Sequence, residues 1–108
     1  MTQITYNLSD DEFSILCQGH AGYADAGNDI VCAAISTLTQ TLVKHMEIVA
    51  DEYQAHADKG ELFCNARGVV AVECFKLVLT GLRMLQANYP RYLKIVEGCT
   101  IFTDNDLK

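Results

Sequence analysis

The sequence predicts an α+β fold in which two long helices pack against a mixed sheet, in the order ββαββα followed by one more strand. Three observations predict it. Apolar residues alternate with period two in paired short segments separated by turn residues. Two longer segments instead repeat apolar residues every three to four positions. The length, 108 residues, suits one hydrophobic core and not two, so residues 1–108 are expected to form a single domain.

"TQITYNL" sets Ile4, Tyr6 and Leu8 against Gln3, Thr5 and Asn7, the pattern of a half-buried strand. "SDDE" supplies a turn, and "FSILCQ" alternates again through Phe13, Ile15 and Cys17, completing a hairpin. A glycine-spaced loop follows. From about Asn28 to about Val49 the period changes, and Val31, Ile35, Leu38, Leu42, His45 and Val49 fall in one helical stripe. Asp25 and Asn28 are the candidate caps, because short side-chain acceptors satisfy free N–H groups at a helix start.

"DEYQAHA", the turn "DKG" and "ELFCNA" predict a second hairpin, with Tyr53, Ala55 and Ala57 facing Leu62, Cys64 and Ala66. A second helix is expected over about Val69 to Asn88, with Ala71, Phe75, Val78, Leu82, Leu85 and Tyr89 on its inner face. Val72, Leu77, Leu79 and Met84 widen its apolar surface beyond one stripe. A homodimer that buries the second face is the physical remedy. Pro90 ends the helix, "RYLKIVEG" reads as a last strand, and "TDNDLK" as a frayed acidic tail.

The formal charge of −6 argues against a nucleic-acid partner, which requires clustered Lys and Arg, and favours a basic protein or peptide. "MTQITYNLSDDEF" lacks the basic-then-apolar character of a secretory signal. No apolar run approaches ~18 residues, so a cytoplasmic protein without membrane contact is expected. The five cysteines, Cys17, Cys32, Cys64, Cys74 and Cys99, are odd in number and contain no CxxC pair. Most are expected to be reduced, buried small hydrophobes. His20, His45 and His56 show no metal-ligand spacing with Cys32, and no phosphate-cradling loop is present, so neither metal nor cofactor is predicted.

The chemistry concentrates in "GHAGYADAGNDIVCAAIS", residues 19 to 36. Cys32 lies near the start of the first helix, where the dipole and free amides favour a thiolate. It sits on the flank of the buried stripe and shares that edge with Ser36. His20 leaves the second strand, and the loop between carries the chain out and back beside it. A His within reach of a Cys is the usual general base for a thiol nucleophile. A cysteine near a helix start is nevertheless more often a packed small residue, and the pattern alone leaves both readings open.

The same stretch closely resembles the signature of the ribosomal-processing cysteine proteases, the Prp family. Gly19-His20, the twelve-residue step to Cys32, "DIVCAA", and Ser36 carry the match. Length and element order also look like that family, so the resemblance covers nearly the whole chain. It implies a homodimeric protease with a Cys–His dyad, Cys32 as nucleophile and His20 as base. The implied task is removal of a short N-terminal extension from large-subunit ribosomal protein twenty-seven during ribosome maturation.

Gly19, Asp29 and Ser36 match further motif positions. Asp29 then caps the helix, orients His20, or is only a first-turn acid favoured by the dipole. Ser36 either steadies the thiolate from one turn below or merely packs. No third triad member stands out. Gly22, Tyr23 and Gly27 fall in a segment expected to close over the substrate. Amides near Val31 to Ala33 are the expected oxyanion donors. Ala26 stands where relatives often carry a charge, and Ile35 replaces a common Val. Two alternatives remain: a phage-type relative processing capsid or scaffold proteins, and a non-catalytic dimeric ribosome-associated binding module.

Overall fold

A computed structural model describes residues 1–25 and 27–98. Ala26, Cys99 and the "TDNDLK" tail lie outside the described residues. The elements are β1 (Thr2–Leu8), β2 (Glu12–Gln18), α1 (Ile30–Val49), β3 (Glu52–Asp58), β4 (Glu61–Arg67), α2 (Val69–Asn88) and β5 (Leu93–Glu97). The strands form one sheet in the order β3-β4-β2-β1-β5. Among the described residues only β1 and β5 pair in parallel, because α2 carries the chain across the sheet between β4 and β5. The mixed α+β architecture matches the expectation.

Both helices pack on one face. Strand residues Ile4, Tyr6, Phe13, Ile15, Cys17 and Cys64 join Val31, Leu42, Phe75 and Leu82 in a single buried cluster. Phe13 stacks on Phe75 at 4.6 Å between ring centroids, fixing α2 over β2. The core lies between sheet and helices, as the period-two and period-3.6 patterns require.

Details of α1 differ from the sequence reading. Its cap is Asp29, the residue that the motif match offers for that role, and not Asp25 or Asn28, and its buried stripe is Val31, Ile35, Thr39, Leu42 and Met46. Leu38 and Val49 are only half-buried and His45 is exposed. Thr39 can take an inner position because its hydroxyl donates to Ile35 O at 2.9 Å, leaving no unpaired polar group. On α2, Val72 is buried with Ala71, Phe75, Val78 and Leu82, while Leu85 and Tyr89 are half-buried.

The β3–β4 register pairs Tyr53, Ala55 and Ala57 with Ala66, Cys64 and Leu62, as predicted. The β4 partners are buried, but β3 is exposed along its whole length. It is the sheet's edge.

Candidate active site

The end of the sheet where β2 runs into α1 brings Cys32 and His20 to common space. Asp29 opens α1 with an extended backbone, and its carboxylate gathers three amides. Oδ1 accepts from Cys32 N at 2.8 Å, while Oδ2 accepts from Tyr23 N at 3.0 Å and Ala24 N at 3.4 Å. One side chain therefore closes the helix start and ties the loop to it. The Cys32 amide is the main cause that holds the Asp29 carboxyl below its ordinary value of 3.8, with the Ala24 and Tyr23 amides adding to it and burial opposing.

Cys32 is the third residue of α1 and half-buried. Its sulfur accepts from the N–H of Ala21, at 3.2 Å. Ala21 itself is buried, which fixes that donor in place. The Tyr23 ring meets Tyr89 and Tyr92 edge-on, at 5.5 and 5.2 Å between centroids. Those two tyrosines follow the end of α2 and precede β5. Residues 21 to 24 are consequently fastened on both sides.

His20 is placed by a different device. Gly19 N donates to Gly60 O at 2.8 Å, tying the end of β2 to the β3–β4 turn. Gly19 has φ +87°, and a Cβ there would meet Met1 O at 2.8 Å, so glycine is required by both conformation and space. The exposed His20 ring then lies over Gly60, where a Cβ would stand 3.4 Å from Nε2.

Two concavities flank the pair. A cavity of about 200 Å³ runs between α1 and the hairpin, lined by Cys32 and His20 with Cys17, Thr39, Ala57 and Glu61. Another of about 580 Å³ lies under the loop, lined by the same pair with Gly22, Gly27, Asp29 and Lys59. Ser36 borders both. Nucleophile and base candidates thus face common space, without a hydrogen bond between them among the described residues.

Of the other sequence candidates, Gly19 and Asp29 are structurally engaged, and Gly22, Tyr23 and Gly27 are exposed in the loop. Of the expected oxyanion donors, two are already engaged. Cys32 N is committed to the Asp29 cap, and Ala33 N donates to Asp29 O at 3.0 Å inside the helix. The reading also missed Ala21, Lys59, Gly60, Tyr89 and Tyr92, which reach the site through tertiary contact. Only the "DKG" turn had a local signal, and that signal said hairpin.

Cys17 lines the smaller cavity behind Cys32. Burial pushes its thiol up to about 11, with the Cys32 charge adding to the shift. Burial does the same at Cys64, also to about 11. Among the described residues no group of His, Cys, Asp and Glu side chains is arranged to hold a metal ion.

Comparison with known proteins bears directly on this arrangement. The family model for cysteine protease Prp matches residues 1–94. The chain belongs to this family. It is a cysteine protease, and proteins are its substrates. Among solved structures, the essential ribosomal processing protease Prp from Staphylococcus aureus, in complex with a covalently linked product peptide, is similar in fold. The TM-score is 0.75 at 20% identity, covering 91% of this chain and 100% of that one. The same Staphylococcus aureus protease with a substrate peptide gives 0.70 at 19% identity, with the same coverage. SMU.848 from Streptococcus mutans is 29% identical, with a TM-score of 0.64 over 91% of this chain and 96% of that one. No curated protein matches the chain. Among the described residues no helix is long and apolar enough to cross a membrane.

Proposed function

We propose that this Prp-family protease removes a short N-terminal extension from large-subunit ribosomal protein twenty-seven, in the cytoplasm, using Cys32 as nucleophile and His20 as base. The observation that carries the reading is the placement of Cys32. Its sulfur sits at a capped helix start, receives a backbone N–H, and opens onto the same two cavities as His20.

In this mechanism His20 takes the Sγ proton and the sulfur attacks the scissile carbonyl. The carbon–nitrogen bond then breaks, and the protonated His20 returns its proton to the leaving amine. Water, deprotonated by His20, hydrolyses the thioester. Ser36 and Gly19 support the geometry without touching the reacting atoms, and the loop through Gly22, Tyr23 and Gly27 covers bound peptide. Neither metal nor cofactor takes part, and no nucleic acid is bound directly. The overall charge of −6 suits a basic substrate.

The test is intact-mass analysis of the N-terminally extended ribosomal protein after incubation with wild type, Cys32→Ser and His20→Ala. Wild type should make one defined cut. Cys32→Ser should lower turnover by at least about 10⁴-fold and His20→Ala by about 10²- to 10⁴-fold. Cutting that survives Cys32→Ser would overturn the mechanism, and no cut by wild type would overturn the substrate.

A homodimer belongs to the same reading. On α2, Val70, Leu77 and Met84 are 55%, 75% and 64% exposed and recur every seven residues, an apolar seam with no cover of its own. Leu77→Glu should convert a dimer to monomer by light scattering. An unchanged mass would remove α2 from the interface.

A further inference from the structure

We propose that the backbone N–H of Ala21 is a donor that stabilises negative charge at the reaction centre, first on the Cys32 sulfur and then on the oxyanion, and that Tyr23 is its positioning residue. The inference rests on the reading of Cys32 as nucleophile. It starts from an accounting of amides around the thiol. The nucleophile's own N–H is taken by Asp29 Oδ1 at 2.8 Å, and the next one along by Asp29 O at 3.0 Å. The amide already aimed at the sulfur is Ala21's, at 3.2 Å.

When sulfur bonds to the scissile carbon, the carbonyl π pair moves onto oxygen, one bond beyond the sulfur. The same N–H can transfer its hydrogen bond from sulfur to that oxygen with little movement. On collapse the pair returns to the carbonyl, the carbon–nitrogen bond breaks, and the amide again faces sulfur. A donor fixed before the reaction is worth most in this role, because nothing has to reorganise as charge develops.

Fixation comes from Tyr23. Ala21 is almost fully buried, and two residues on, the Tyr23 ring is set edge-on to both Tyr89 and Tyr92 while its amide holds Asp29 Oδ2 at 3.0 Å. These contacts span the end of α2, the approach to β5 and the start of α1. A loop otherwise free to wander is thereby held to the frame on the side that carries the donor. Aromatic pairs of this geometry have the strength to do so.

Three variants test it. Replacing the His20–Ala21 amide by an ester removes the N–H and keeps the side chains. It should lower kcat about 100-fold with KM within about twofold, the signature of a transition-state donor. Tyr23→Ala should lower kcat about tenfold, and Tyr23→Phe should restore it, since the ring and not the hydroxyl makes the contacts. Hydrogen exchange gives a reading independent of substrate: the Ala21 amide should be protected in wild type, exchange about tenfold faster in Tyr23→Ala, and be protected again in Tyr23→Phe.

An ester variant with wild-type kcat overturns the Ala21 role, and unchanged Ala21 exchange in Tyr23→Ala overturns the anchor. Failure of wild type to cut the extended ribosomal protein overturns that substrate alone. The exchange arm still decides whether Tyr23 holds the amide, and an Ala21 amide exchanging at the free-loop rate sinks the proposal.

Discussion

The start of α1 and the end of β2 each deliver one reactive side chain to the same cavities, and they hold it in opposite ways. Cys32 is fixed by directional bonds: an Asp29 carboxylate on its own amide and an Ala21 amide on its sulfur. His20 is exposed and held by proximity to a glycine turn, with the backbone bond from Gly19 to Gly60 as its tether. The nucleophile therefore needs its polar partners, whereas the base needs clearance. A cysteine must be kept in a charge-stabilising environment to be reactive, while a base that shuttles a proton in two directions benefits from room to turn.

The comparison breaks most sharply at Asp29. Asp29→Ala leaves three amides without their acceptor and frees the loop from the helix start. Turnover should fall about tenfold or more, and Tm should drop as the cap is lost. The carboxyl is held below its ordinary 3.8, so its stabilisation is present above that value and is lost as pH falls through the folded value. Asp29→Asn keeps an acceptor but cannot titrate, so acid unfolding should lose that component. Thermal melts from neutral to acid pH on all three proteins check it. An acid limb identical in wild type and Asp29→Asn would remove Asp29 from the account.

Clearance is tested at Gly60. Its φ of +77° disfavours any side chain, and an added Cβ would meet His20 Nε2 at 3.4 Å. Gly60→Ala should cost about 1 kcal/mol in stability from the backbone alone. Turnover should fall severalfold as the strained turn shifts the Gly60 carbonyl that tethers Gly19 beside His20, with the Cys32 alkylation rate unchanged. Alkylation that changes in step with turnover would mean that the two ends of the site are not separately held.

This asymmetry also explains what could be read beforehand. The α1 side was legible because its parts are close in sequence: Asp29, Cys32 and Ser36 carry helix-start chemistry within one turn or two. Even there the periodicity points to Asp25 or Asn28 as the cap and only the motif match offers Asp29, since several short acceptors precede one helix and backbone geometry chooses among them. The hairpin side was not legible. "DKG" announces a turn, but nothing local says that its glycine will lie under His20. The exposure of β3 was hidden for the same reason: alternation in "DEYQAHA" predicts a strand, whereas burial depends on how far α1 extends over the sheet edge. Thr39 took an inward place that a purely apolar stripe would have denied it.

The two cysteines at the smaller cavity extend the contrast to chemistry. Cys17 is buried with its thiol raised to about 11, whereas Cys32 is half-buried beside it and holds an amide donor. Peptide-level alkylation at neutral pH should therefore modify Cys32 and spare Cys17 and Cys64. The smallest effect appears only in alkali. In the unfolded chain these thiols ionise near their ordinary 9.0, but in the folded protein Cys17 and Cys64 retain the proton to about 11. Between those values the folded state binds more protons than the unfolded one, so stability falls as pH rises, by on the order of 2 kcal/mol per thiol. Urea midpoints across that range should show the decline in wild type and a shallower one in Cys64→Ala. Part of the Cys17 shift comes from charge on Cys32, so Cys32→Ser should also flatten it, by less than Cys64→Ala does. A curve unmoved by either variant would mean that burial does not hold these protons, and that the two neighbouring sulfurs differ only in access.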